Sequence, residues 1–187
     1  MAERNASSKG KRKLKIYLIG SLRNPEVPKV AKQIRELGFD VFDDWYAAGP
    51  HADDHWRDYE KARGHSYIEG LKGYAAKHVY EFDLKHLLEC DIAVLLMPAG
   101  KSAHLELGFV LGIGHAFKRF NEAIKGRFYA PLLKPFLDLA GRLIVKMGYI
   151  VLNPKEERWD VMYQFADEVF ENVEQLKEAL LRLRDQS

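Results

Sequence analysis

A single cysteine, Cys90, occurs in the 187 residues, which excludes an internal disulfide and fits a reducing compartment. It lies beside an apolar run and reads as a free core thiol. No stretch approaches the roughly 20 uninterrupted apolar residues that a membrane span needs. Nor does one charge dominate: 29 Lys+Arg against 27 Asp+Glu leave a net +2, so no general field draws in nucleic acid or an anionic membrane. Affinity for phosphate would have to be local. The opening "MAERNASSKGKRK" lacks the apolar core of a secretion signal, so residues 1–13 are expected to form a flexible basic arm on a soluble, cytoplasmic protein. No internal repeat or low-complexity segment is visible.

With 47% hydrophobic residues, the chain from residue 14 to 187 can bury the core of one domain. "KIYLIG" (15–20) is a short apolar run, and Val27, Val30, Ile34 and Leu37 then follow a helical period that Gly38 closes. "FDVFDD" (39–44) alternates like a strand. From Trp45 to about Gly64 the mixture of Gly, Pro, His, Asp and Trp reads as a long functional loop. A helical region at about 58–78 follows, then a second helix with Leu84, Leu87 and Leu88 inward, then a third strand, "DIAVLLM" (91–97).

A helical insertion is expected at about 116–148. Within it Lys134, Asp138, Arg142 and Lys146 recur every four residues opposite Leu133, Phe136, Leu137, Ala140, Leu143 and Ile144, the pattern of an amphipathic helix. Its apolar face would pack on the core or on another subunit, and Gly148 would cap it. "YIVLN" (149–153) predicts the next strand, and Asp160 to about Arg184 a terminal helix. Alternating β and α segments imply a doubly wound, flavodoxin-like α/β sandwich around a parallel sheet, with ligands beyond the carboxyl ends of the strands. The strand exits "GSLRN", "DDWYAAGP" and "PAGKSAHLE" then become the walls of one crevice.

Gly20, Ser21, Arg23 and Asn24 can be an ordinary turn and helix cap, or they can hold a phosphate or polar sugar. The first strand is not followed by G-x-G-x-x-G or a Walker lysine motif, so ordinary dinucleotide binding and NTP hydrolysis lack support. Asp43 and Asp44 are strand-end solvation, or acceptors for a base or ribose beside the flat surface of Trp45. In "PAGKSAHLELG", Ser102 can cap a helix that carries Glu106 in or near its first turn, where the macrodipole favours an ionised carboxylate by roughly 0.3–1 kcal/mol. Gly108 and Gly112 share a helix face and predict a close neighbour there. An ionised Glu106 aimed at the crevice could also attack C1′ of a sugar. Asp83 would then be the second carboxylate, which protonates a leaving base, or else the N-cap of a helix over 84–89.

"KIYLIGSLRN", "FDVFDDW", "EFDLKHLLECDIAVLLMPAGKSAHLELGFVLG" and "WDVMYQFA" together resemble the nucleoside 2-deoxyribosyltransferase-like family, whose relatives include the 2′-deoxynucleoside 5′-phosphate N-hydrolases and CMP N-glycosidases. The resemblance covers about residues 14–112 and 149–168. It implies cleavage of an N-glycosidic bond through a covalent glycosyl-enzyme ester, without cofactor or metal. On that basis Glu106 is the nucleophile, Asp83 lies near the leaving base and Tyr17 orients the nucleophile. Gly20, Ser21, Arg23, Asn24, Gly100 and Ser102 hold the 5′ end of the sugar, and Asp43, Asp44 and Trp45 lie near the base. It also implies a homo-oligomer with a shared active site, a small nucleoside or nucleotide as partner, and no nucleic acid or membrane. Two other readings stay open beside it: an NAD glycohydrolase of the kind found in TIR-like domains, and a nucleotide-sensing module without turnover.

Overall fold

The structure is a computed structural model that describes residues 12–125, 132–136, 146–153, 155 and 160–186. Among the described residues five strands form a parallel sheet, with the apolar β1, β3 and β4 buried on both faces: β1 (Lys15–Ile19), β2 (Asp40–Phe42), β3 (Ile92–Leu96), β4 (Met147–Val151) and β5 (Glu168–Phe170). Their order is β2-β1-β3-β4-β5 and every pairing is parallel. This is the doubly wound arrangement expected from the alternating segments, with its switch point between β1 and β3.

Alternation along the strands sends side chains to opposite faces. Ile16, Leu18, Ile92, Val94, Leu96 and Val151 pack beneath α1 (Val27–Glu36) and α6 (Val173–Gln186). Tyr17, Ile19, Ala93, Leu95 and Ile150 face the other way, beneath α4 (Tyr74–Glu89) and α5 (Lys101–Ile124). The first helix forms because Val27, Val30, Ala31 and Ile34 make one buried stripe, and Gly38 follows it at φ 97°.

Several expectations change. The segment predicted as a loop from Trp45 to Gly64 is largely helical: a 3-10 turn at Asp44–Ala48 and α2 (Ala52–Ala62), followed by the short α3 (Tyr67–Leu71), which a Ser66–Glu69 capping box starts. Glu60 is the only buried residue of α2, so no apolar stripe announces it. Leu87 points inward from α4 as expected, whereas Leu88 is exposed. The stretch predicted as a terminal helix from Asp160 contains a 3-10 turn at Val161–Phe165 and strand β5 before α6 begins.

The basic arm lies outside the described residues except for its end, where Arg12 pairs with Asp91. The first part of the expected insertion is simply the continuation of α5 to Ile124. Of the amphipathic helix, 137–145 lies outside the described residues, and 132–136 is helical with Phe136 exposed. Lys146 is not on a solvated helix face. It is buried, and its Nζ donates to the carbonyls of Leu87 (3.2 Å), Leu88 (2.8 Å) and Cys90 (2.6 Å) at the end of α4, where helix carbonyls lack intrahelical donors. Gly148 is a residue of β4 rather than a cap.

The crowded glycine of α5 is Gly114, where an added Cβ would stand 2.5 Å from the Lys146 carbonyl oxygen. Gly108 and Gly112 have open space instead, so the close neighbour predicted for their face is absent among the described residues.

Candidate functional site

Tyr17 is the central residue of β1 and is buried on the α4/α5 face of the sheet. Asp83 reaches that face from the middle of α4, not from a helix start, so the N-cap alternative fails: α4 begins at Tyr74 and Gly73 caps it. Glu106 comes from α5, which begins at Lys101 with Gly100 as its N-cap. It therefore lies in the second turn, on the flank of the stripe formed by Ala103, Leu107 and Val110. Strand and helix periods thus bring together three residues separated by as much as 89 positions in sequence.

The three share an electrostatic environment. Burial, and then the charge of Asp83, push Glu106 up to about 7. Burial also raises Asp83, while the Tyr17 hydroxyl turned towards it acts in the opposite direction. Tyr17 is held far above its ordinary value by burial first, then by the charges of Glu106 and Asp83, so its hydroxyl stays protonated. Desolvation and a like charge both disfavour ionisation, which reverses the expectation that the helix start keeps Glu106 charged. Asp83 Oδ1 is buried without a hydrogen-bond partner. Two carboxyl groups that burial holds towards their protonated forms, one of them raised further by the charge of the other, can act as an acid and a nucleophile or base.

An aromatic layer supports Tyr17. Its ring lies 4.9 Å from that of Phe42. Phe42 in turn stacks on His86 at 3.8 Å and 13° between ring planes. Lys15 Nζ lies 3.1 Å from Nδ1 of that imidazole. Alternation in "FDVFDD" shows only that Phe42 is buried; its contact with Tyr17 depends on the parallel register that pairs the two residues.

At the β1 exit, Ser21 Oγ accepts the N–H of Arg23 (3.2 Å), and Asn24 N donates to the Ser21 carbonyl (2.9 Å). Gly20 is required here because a Cβ would come within 2.9 Å of Val27 Cγ2 and 3.6 Å of the Trp45 ring. The Trp45 indole N–H donates to the Leu18 carbonyl at 2.9 Å, so the ring is a fixed wall over the end of β1. Arg23 binds Asp54 of α2 at 3.0 Å. Asp43 is tied to Arg35, while Asp44 at the β2 exit is exposed and its charge acts on His86.

At the β3 exit the chain passes a cis Met97–Pro98 bond and reaches Gly100 in extended conformation. No side chain caps α5; Ser102 is the exposed second residue of the helix instead of its cap, so the first-turn N–H groups are open to solvent or ligand. A cavity of about 730 Å³ adjoins this start, with Met97, Gly100, Lys101, His104 and Tyr163 among its walls. His104 bridges it, Nδ1 at 2.7 Å from the Gly100 carbonyl and Nε2 at 3.2 Å from the Tyr163 hydroxyl. No protein-family model and no curated protein matches this chain. The site is therefore defined by its own geometry.

Asp54 and His104 are the polar neighbours that the motifs alone do not single out. Asp54 lies inside the segment expected to be a loop. His104 has no periodic or spacing signal beyond its place next to Glu106 in "KSAHLELG". No helix among the described residues is long and apolar enough to cross a membrane.

Proposed function

We propose that the protein cleaves the N-glycosidic bond of a nucleoside or its 5′-monophosphate. The observation that carries this reading is the pair Glu106 and Asp83 beside Tyr17 of β1, one of the two strands that flank the switch point of the sheet. A Glu106 oxygen attacks C1′, the C1′–N bond breaks, and its electron pair goes to the base nitrogen while Asp83 supplies the proton. A sugar ester of Glu106 results. Asp83, now ionised, takes the proton from water or from a second base as that nucleophile attacks C1′ and releases Glu106. The productive protonation state has Glu106 ionised and the proton on Asp83, so the proton that burial and the Asp83 charge favour on Glu106 passes to Asp83 before attack. Tyr17 donates its hydroxyl proton towards the pair and fixes its orientation. Arg23, Ser21 and the first turn of α5 bind the 5′ end.

The reading extends to assembly. Phe82, Leu105 and Phe109 stand exposed beside Asp83 and Glu106, Leu105 at 76%, and such a patch fits coverage by a second copy of the chain. A sedimentation experiment that finds only monomers at micromolar concentration would remove that part.

The test of the reaction is chromatography of free base released from ribo- and 2′-deoxynucleosides and their 5′-monophosphates, with and without a second base, together with intact-mass detection of a sugar adduct after acid quench. Base release with an adduct that disappears in Glu106→Ala supports the reading. No base from any substrate sinks it.

A further inference from the structure

Arg23 is the cation of the β1 exit, yet in this structure it is engaged by Asp54 Oδ2 at 3.0 Å. Asp54 does not depend on that contact. Its other oxygen accepts from Arg57 Nη1 at 2.9 Å, His51 Nδ1 lies 3.6 Å away, and it sits in the first turn of α2, where unpaired N–H groups favour a carboxylate. If Arg23 leaves, Asp54 keeps a cation and a helix dipole. Arg23 has no second carboxylate among the ion pairs of the described residues. The exchange is therefore inexpensive on one side and needs a new anion on the other.

The same turn has a second unmet need. Asn24 is 4% exposed; its Oδ1 accepts the Glu26 N–H at 3.1 Å, while its Nδ2 is buried with no acceptor. An orphaned buried donor costs about 1–3 kcal/mol. Beside it, Ser21 Oγ already accepts from Arg23 N, so its hydroxyl proton is available for donation. One short turn thus offers a displaceable guanidinium and an unsatisfied amide, both suited to anionic oxygens.

We propose that Asp54 is a specificity-determining residue which occupies Arg23 in the empty site and yields it to the phosphate of a phosphate-monoester substrate. This inference rests on the glycosidic reading for its substrate and deepens it. Selection for the phosphate is then set by competition between two anions for Arg23. Occupancy also frees the α2 end of the contact, so substrate binding and the position of α2 are linked.

The test is titration of wild type, Asp54→Asn, Arg23→Gln and the double variant with inorganic phosphate at low salt, followed by kcat/KM for a 2′-deoxynucleoside and its 5′-monophosphate. Removing the competitor should tighten phosphate binding roughly two- to fivefold, the range of an exposed ion pair, and raise the monophosphate-to-nucleoside ratio of kcat/KM by the same factor. In the Arg23→Gln background the Asp54→Asn change should vanish, because the two residues act on one anion. Unchanged or weaker phosphate binding in Asp54→Asn, or an equal gain without Arg23, overturns the exchange. Absence of base release from every substrate defeats the glycosidic reading alone, and the phosphate titration still decides the exchange.

Discussion

The two faces of the sheet are built from the same strands to different ends. Beneath α1 and α6 the buried cluster of described residues is apolar apart from a single phenol, Tyr149, and runs from Ile16 and Ile34 to Leu176 and Leu180. Beneath α4 and α5 the cluster includes Tyr17 and Cys90 and borders on Asp83 and Glu106. One face gives up favourable burial to keep two carboxyl groups out of water; the other supplies the apolar packing that offsets the cost. This is the trade between stability and chemistry expected of a preorganised site.

The comparison can be broken most directly at Glu106. Glu106→Ala should lower base release by roughly 10³-fold or more while the circular dichroism spectrum stays that of the wild type. On the opposite face, Ile34→Ala should leave kcat of the folded enzyme unchanged and destabilise it by about 2–5 kcal/mol in urea unfolding. A large loss of kcat from Ile34→Ala would mean that the two faces are not separable.

A subtler result sharpens the contrast. The folded state raises Glu106 from 4.5 to about 7, so it retains a proton that the unfolded chain has released. Stability from this group is complete below about pH 4.5 and is lost as pH rises through about 7. Glu106→Gln should therefore stabilise the protein at pH 8 by on the order of 3 kcal/mol and hardly at all at pH 4. Equal unfolding midpoints for the two proteins at pH 8 would contradict the burial of this carboxylate. The smallest effect is in the pH profile: kcat/KM of the wild type should fall on the acid side with a midpoint near pH 7, as Glu106 takes up its proton.

Much of this division was legible in the sequence. "KIYLI", "DVF" and "IAVLL" are apolar runs, and runs of that kind between helical periods specify parallel strands buried on both faces. β5 was not legible because Glu168–Phe170 is three residues long and has exposed Glu168 and Val169; only its pairing to β4 makes it a strand. α2 was hidden by its polarity, and the length of α4 by Tyr74, Val79 and Tyr80, exposed apolar residues that blur the helical period. At the site, motif spacing picked out Tyr17, Asp83 and Glu106 singly. Their mutual effect on ionisation follows from packing α4 and α5 over one strand, and so does the reversal at Glu106 from charged helix start to half-protonated acid. Local sequence carries the dipole term; desolvation belongs to the fold.

Lys146 shows what such packing can do with a charge away from the site. Its ammonium, surrounded by the carbonyls of Leu87, Leu88 and Cys90, has the ligand set of a dehydrated monovalent cation in a channel filter. Unlike a bound ion it is covalently tethered and cannot dissociate. The end of α4 therefore carries a tethered hydrogen-bond donor that dialysis cannot remove and dissolved salt cannot displace.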